Sequence, residues 1–284
     1  MKANQHKHQP TPNGILLVIG GHEDKTGKPE KKVQLDNFMP LEILEAFKDL
    51  TSKPDCIIEI ITTASAEGEG SFDDYKKAFE QLNVLQVGHI HHQIREDVLV
   101  DEDLIDRINI ADAIFFSGGD QLKLTSIYGG TEFLSRLKER YVYESLVLGG
   151  TSAGAMAFST PMIIAGNKDV QQIAGEIKVT TGLEFLKDVC IDTHFVDRGR
   201  FVRMAQVIAT NPTCIGIGIE EDTAIIVRNG YEAEVIGSGT IIIIDGYGIT
   251  NSNVIDYGKH KNISIQGLGV KILSNGDKYN IPLN

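Results

Sequence analysis

Leu146-Val147-Leu148-Gly149-Gly150-Thr151-Ser152-Ala153-Gly154-Ala155-Met156-Ala157-Phe158 reads as a short buried strand, a sharp small-residue turn and the start of a helix. Its centre, Gly150 to Gly154, has the form G-x-S-x-G. A serine on a tight strand-to-helix turn has its hydroxyl lifted clear of the sheet. Small neighbours admit a base and a substrate carbonyl, and the N–H after the serine can face a developing oxyanion. A Gly/Ser-rich turn is the plainer interpretation, since five-residue matches arise by chance. The strand before and the helix after favour a nucleophilic Ser152.

The same alternation extends in both directions. Gly14 to Gly21 is a buried strand running into a glycine turn, and Cys56–Ile61, Val84–Ile90 and Ala113–Phe116 are further strands. Between them, Phe38–Leu50 and Phe72–Leu82 carry apolar residues at helical spacing, and residues 121–140 read as one more helix. Near-continuous Val/Ile/Leu strands separated by helices predict an α/β fold: a mostly parallel sheet covered by helices on both faces. From about residue 223 the character changes. Thr223–Val227, Thr240–Ile244 and Val270–Leu273 are β-rich, with Asn229-Gly230 and Asn275-Gly276 as hairpin signals. The expectation is a polar tail over residues 1–13 and one catalytic domain over 14–284, which ends in an antiparallel, β-rich extension.

Three strands end in glycine pairs: Gly20-Gly21, Gly118-Gly119 and Gly149-Gly150. In an open parallel sheet, ligands sit beyond the carboxyl ends of the strands, so these pairs predict an active-site rim. The 284 residues, 42% of them hydrophobic, suffice for a sizeable core. A net charge of −12 without a basic patch argues against nucleic acid and anionic membrane as partners and favours a cationic substrate. No apolar run nears the roughly 20 residues of a membrane span, and the polar start has no secretory h-region. The three cysteines, Cys56, Cys190 and Cys214, are odd in number and far apart, which suggests reduced thiols in a cytoplasmic protein.

Ser152 needs a base. His6, His8 and His260 sit in polar surroundings and read as solvated, whereas His22 is on the first glycine turn. His89, His91 and His92 resemble a metal cluster, but they divide between two strand faces and lack an acidic partner at ligand spacing, so no metal is expected. His194 stands in Ile191-Asp192-Thr193-His194-Phe195-Val196-Asp197-Arg198-Gly199-Arg200, where polar residues crowd the end of a short strand. Asp192, Asp197, Glu220, Glu221 and Asp222 are all candidates to orient its imidazole. Two other patterns carry less. Gly21 to Pro29 departs from a phosphate-binding loop in spacing and ends in proline where Ser/Thr would hold Mg²⁺. Cys190, four residues before His194, reads as a buried structural cysteine.

Five segments occur in one order: Gly20-Gly21-His22-Glu23-Asp24-Lys25, Ser117-Gly118-Gly119-Asp120-Gln121, Gly150 to Ala155, His194 to Arg200, and Gly218-Ile219-Glu220-Glu221-Asp222-Thr223-Ala224. Together they resemble the serine peptidase family that includes cyanophycinase and aspartyl dipeptidase, over about residues 14 to 260. The resemblance implies a frame similar to class I glutamine amidotransferases (flavodoxin-like) and a serine exopeptidase acting next to aspartyl residues. Cyanophycinase itself releases β-Asp-Arg dipeptides from poly-aspartate bearing arginine on its side chains.

Position by position, the resemblance makes Ser152 the nucleophile, His194 the base and Glu221 the acid. It makes Gly119 and Ala153 the oxyanion donors, and Gln121, Asp192, Arg198, Arg200 and Arg203 the substrate pocket. No cofactor is implied, and a homodimer is the expected assembly. His22 and Thr62-Thr63-Ala64-Ser65 depart from the family's usual residues. An arginine near the serine would clamp the free α-carboxylate of a β-linked aspartyl unit, and acidic groups would receive the substrate's arginine. The plainer alternative for Arg198 and Arg200 is an ion pair with Asp192 or Asp197. An aspartyl or isoaspartyl dipeptidase is the second functional reading. A non-catalytic binding module is the third, and the intact serine, histidine and acid argue against it.

Overall fold

The computed structural model describes residues 10–28, 39–166, 171–256 and 258–283. His6, His8, most of the expected tail, Pro29 and the first residue of the expected helix, Phe38, lie outside them. Five parallel strands form the spine of an eight-stranded sheet, in the order Gln86–Ile90, Ile57–Ile61, Ala113–Phe116, Val147–Thr151 and Ile15–Ile19. Successive side chains of a strand point to opposite faces. Accordingly, Leu16 and Val18 enter one apolar cluster, with helices Leu104–Ile110, Gln121–Tyr128 and Glu132–Tyr143. Leu17 and Ile19 enter another, with helices Glu42–Leu50 and Gly68–Gln81. Both faces are therefore covered, which is why Ile15–Ile19 and Ala113–Phe116 read as unbroken apolar runs, whereas the edge strand Gln86–Ile90 is partly exposed and carries Gln86 and His89.

The β-rich last third does not form the single extension that was expected. Thr223–Arg228, Glu232–Gly237 and Lys278–Asn280 continue the first sheet antiparallel. Ile241–Asp245 and Gly269–Leu273 join a second, six-stranded sheet with Ile215–Ile219, Val189–Asp192, Ser159–Thr160 and Leu186–Lys187. Asn229-Gly230 does close a hairpin, both residues at positive φ (57° and 77°). Asn275-Gly276 does not, because the strands on either side of it belong to different sheets. One apolar cluster contains Leu16 and Val18 of the first sheet together with Ile191, Ile217 and Ile243 of the second. The second sheet thus packs over one face of the first.

The helix expected over 121–140 is two, Gln121–Tyr128 and Glu132–Tyr143, interrupted at Gly129-Gly130. Thr131 begins the second by accepting the Leu134 N–H at 3.3 Å, the work of an N-cap side chain. Helices Arg95–Val100, Leu104–Ile110 and Phe201–Thr210 are not among the elements expected from the sequence. The strands Ala113–Phe116, Val147–Thr151 and Ile15–Ile19 are neighbours in the sheet, so the turns after them lie side by side. Gly149 and Gly150 themselves fall within their strand, and the turn comes at Ser152.

Candidate active site

Ser152 has φ 51° and ψ −113°, a conformation that strains a residue with a Cβ by about 1–3 kcal/mol. Hydrogen bonds on both sides hold it there. The Ser152 N–H donates to the Ile19 carbonyl at 3.1 Å, and the Met156 N–H donates to the Ser152 carbonyl at 3.0 Å. Next to it, the Thr151 hydroxyl donates to Glu23 Oε2 at 2.6 Å, and the Tyr75 hydroxyl donates to the other oxygen of that buried carboxylate. This Glu23 support is invisible in sequence, because residues 23, 75 and 151 meet only across the sheet.

His194 follows the strand Val189–Asp192 of the second sheet, yet its N–H donates to Gly20 O in the first, at 2.9 Å. That bond carries the imidazole to the serine. Nε2 lies 3.0 Å from Ser152 Oγ, and Nδ1 lies 2.6 Å from Glu221 Oε1. Gly21 is needed for this approach: it has φ 102°, and a Cβ there would fall 2.4 Å from His194 Cε1. Glu221 occupies the turn in which the chain leaves the second sheet, after Ile215–Ile219, and re-enters the first at Thr223. Of the five acids open to choice, Glu221 alone meets the ring. Glu220 accepts the Thr240 N–H at 2.6 Å, Asp222 accepts the Ser238 hydroxyl at 2.7 Å, Asp197 is exposed, and Asp192 is held by arginines. His22 takes the remaining oxygen of Glu221, with Nδ1 3.0 Å from Oε2.

Burial pushes the His194 imidazole below its ordinary value, against the pull of the Glu221 hydrogen bond, and the charges of Arg198 and His22 add to the depression. Burial would raise the Glu221 carboxyl, but its bond with His194 and the two histidine charges prevail and hold it low. Near neutrality the pair is therefore imidazole and carboxylate, the state in which Nε2 can accept a proton from Ser152. Protonating His194 removes that acceptor, so kcat/KM is expected to fall as pH drops through its pKa. A depressed pKa places this acidic limb below 6.5, and Arg198→Met should move it upward by removing a cation. A pH profile of kcat/KM in chelator-treated buffer tests both, and a limb above 6.5 would contradict the geometry.

A cavity of about 400 Å³ opens at Ser152, and Gly119, Gln121, Ala153, Arg198, Arg200 and Arg203 are all on its wall. The Ala153 N–H begins a helix, where first-turn N–H groups have no intrahelical partner. Gly119, at φ 141°, lies so close to Ala64 that a Cβ would come within 2.0 Å of its carbonyl oxygen. Gln121 spans the wall, donating from Nε2 to Ile163 O at 2.7 Å. Asp192 lies behind the wall and is 0% exposed. Arg203 Nε donates to it at 2.5 Å and Nη2 makes a second bond, while Arg200 Nη1 donates to it at 2.9 Å. Burial lowers the Arg200 guanidinium to about 10 despite the Asp192 charge. Arg200 and Arg203 are thus already paired, whereas Arg198, exposed, has no carboxylate partner among the described residues.

Removing the acid from this buried cluster leaves two guanidinium groups uncompensated. Asp192→Ala should cost about 3–5 kcal/mol of stability. In a chain of this size that lowers Tm by roughly 5–8 °C. Calorimetry beside the milder Asp197→Ala checks it, and equal Tm values would show that the pairing carries no such weight.

The remaining motifs resolve simply. His89 Nε2 and His91 Nδ1 meet the Thr62 hydroxyl at 2.7 and 2.9 Å, while His92 turns to Tyr128 and Asp101. Two acids therefore do stand near these rings, Glu69 at 3.7 Å from His89 and Asp101 at 3.1 Å from His92, contrary to expectation. In the loop after Gly21, the N–H groups of Thr26 and Gly27, together with that of Leu41, donate to the Asp24 carboxylate, so these three are not free to cradle a phosphate. Cys56, Cys190 and Cys214 are free and buried, and burial raises the Cys190 thiol well above its ordinary value. No helix among the described residues is long and apolar enough to cross a membrane.

The sequence profile of peptidase family S51 matches residues 35–235. A cyanophycinase from Geminocystis herdmanii is 32% identical, over 93% of this chain and 93% of its own. Another, from Thermosynechococcus vestitus, is 31% identical, over 94% of this chain and 79% of its own. The fold is similar to that of a peptidase from an acI-B1 actinobacterium, with a TM-score of 0.67 at 20% identity, covering 96% of this chain and 99% of that one. A putative peptidase E from Listeria monocytogenes follows with 0.53 at 19% identity, covering 80% and 99%.

Proposed function

This chain belongs to peptidase family S51, a serine-type peptidase, and we propose that it hydrolyses cyanophycin, multi-L-arginyl-poly-L-aspartate, to β-Asp-Arg dipeptides as an exopeptidase. The observation that carries this reading is the unbroken line from Ser152 Oγ to His194 Nε2 at 3.0 Å and from His194 Nδ1 to Glu221 Oε1 at 2.6 Å, beside a cavity walled by arginines. Ser152 attacks the scissile carbonyl while His194 takes its proton, and Glu221 steadies the imidazolium. The N–H groups of Gly119 and Ala153 receive the oxyanion. His194 then protonates the leaving amine, and water, deprotonated by the same ring, releases the acyl group from Ser152. The reading includes a single catalytic unit on a class I glutamine amidotransferase-like frame, acting as a cytoplasmic homodimer.

Arg198 is the guanidinium left over to meet a free carboxylate of the substrate. The α-carboxyl of the attacked aspartyl unit is the scissile carbonyl itself, so the carboxylate on offer is that of an arginine attached to an aspartyl side chain. A peptide without side-chain-linked arginine offers no carboxylate there and leaves the cation poorly paired. Arg198→Met should therefore lower kcat/KM for cyanophycin by roughly 10- to 150-fold, the equivalent of about 1.5–3 kcal/mol, at unchanged Tm. Unchanged kcat/KM would remove Arg198 from recognition. The direct test of the function is to incubate the protein with cyanophycin, β-Asp-Arg and α-Asp-Xaa dipeptides and to weigh the products. Cleavage of the polymer to β-Asp-Arg supports the proposal, while cleavage of dipeptides alone replaces it with an aspartyl or isoaspartyl dipeptidase.

A further inference from the structure

We propose that His22, His194 and Glu221 form a site for a divalent cation of the zinc class, and that filling it switches hydrolysis off. One ligand atom from each residue lies within 4.8 Å of those of the other two. His22 Nδ1 is 3.0 Å from Glu221 Oε2, and His194 Nδ1 is 2.6 Å from Oε1. Zinc bonds to nitrogen and oxygen are about 2.0–2.2 Å long, so an ion placed between His22 and Glu221 needs little opening of that pair. The His22 side chain is 67% exposed and packs edge-on against His194 with centroids 5.1 Å apart, so it can turn towards an ion without disturbing the core. Two imidazoles and one carboxylate are a three-ligand zinc set with an open fourth position. Magnesium and calcium favour all-oxygen shells and fit it poorly.

The inhibition follows from the tautomer. In the working state His194 carries its proton on Nδ1, facing Glu221, and keeps the Nε2 lone pair for Ser152. An ion bound at Nδ1 uses the lone pair there, so the ring's single proton moves to Nε2. The imidazole then presents N–H to Ser152 and cannot accept the hydroxyl proton. This half of the inference rests on His194 being the base, whereas cation binding itself does not.

Zinc chloride is titrated calorimetrically into chelator-treated Ser152→Ala protein, which cannot turn over. The same background is prepared with His22→Asn and, separately, with His89→Asn as a control for the other histidine group. Asparagine suits position 22, whose φ is 50°. Loss of an outer-shell partner alone weakens metal sites by about 10–100-fold, so losing a ligand with His22→Asn should weaken binding at least tenfold, with His89→Asn unchanged. Equal affinities with and without His22, or dependence on His89 instead, would overturn the site. In wild-type enzyme zinc should inhibit, EDTA should restore activity, and His22→Asn should require at least tenfold more zinc. Equal inhibition of both proteins would overturn the switch. If none of the aspartyl substrates is cleaved without zinc, the functional reading fails while calorimetry still decides the cation site.

Discussion

Ser152→Ala protein should have the Tm of wild type and hydrolyse cyanophycin about 10⁴–10⁶ times more slowly in kcat. The substitution deletes one hydroxyl whose hydrogen-bond contact is His194 Nε2. The bonds that hold the elbow come from the Ser152 backbone and from Thr151, so alanine leaves them in place. Binding should survive, because the cavity wall and the oxyanion N–H groups do not depend on the hydroxyl. Kinetics together with a Tm measurement make the test, and purified Ser152→Ala protein working at near wild-type rate would end the serine mechanism.

The second large effect belongs to the acid. Glu221→Gln keeps the shape of the side chain but removes the charge that stabilises protonated His194, and its amide can offer the ring a donor in place of an acceptor. Comparable losses in serine triads are about 10⁴-fold in kcat. Glu220→Gln is the matched control. Glu220 accepts the Thr240 N–H and has no contact with His194, so its loss should leave kcat within a small factor of wild type. A crippled Glu220→Gln beside an active Glu221→Gln would show that the neighbouring carboxylate does the work.

Much of this molecule was legible because its information is local. The parallel strands are apolar on both faces, so Ile15–Ile19, Ile57–Ile61 and Ala113–Phe116 announce burial on each side within five residues or fewer. The serine turn is equally local: strand, small residues and helix are contiguous, and the strained φ of Ser152 lies where the G-x-S-x-G pattern puts it. Likeness of five ordered segments to a known family then singled out His194, Glu221 and the arginines, which spacing by itself left among several candidates.

Tertiary structure decided what depends on pairing between distant segments. The last third divides between two sheets because each strand joins the apolar partner that covers it, and Ile241–Asp245 has the same sequence character as Thr223–Arg228, which went the other way. Glu221 rather than Glu220 faces His194 because Glu220 is tied to the Thr240 N–H while the turn between those sheets carries Glu221 to the ring. Arg200 and Arg203 bind inward to Asp192 while Arg198 has no carboxylate partner among the described residues, a choice made by the helix Phe201–Thr210 docking on the second sheet. The contacts of His22 with Glu221 and of Glu23 with Thr151 carry no sequence signal of their own. Both contacts exist only once a glycine turn of the first sheet meets a turn between the sheets and the serine turn beside it, and residue order does not encode such a meeting.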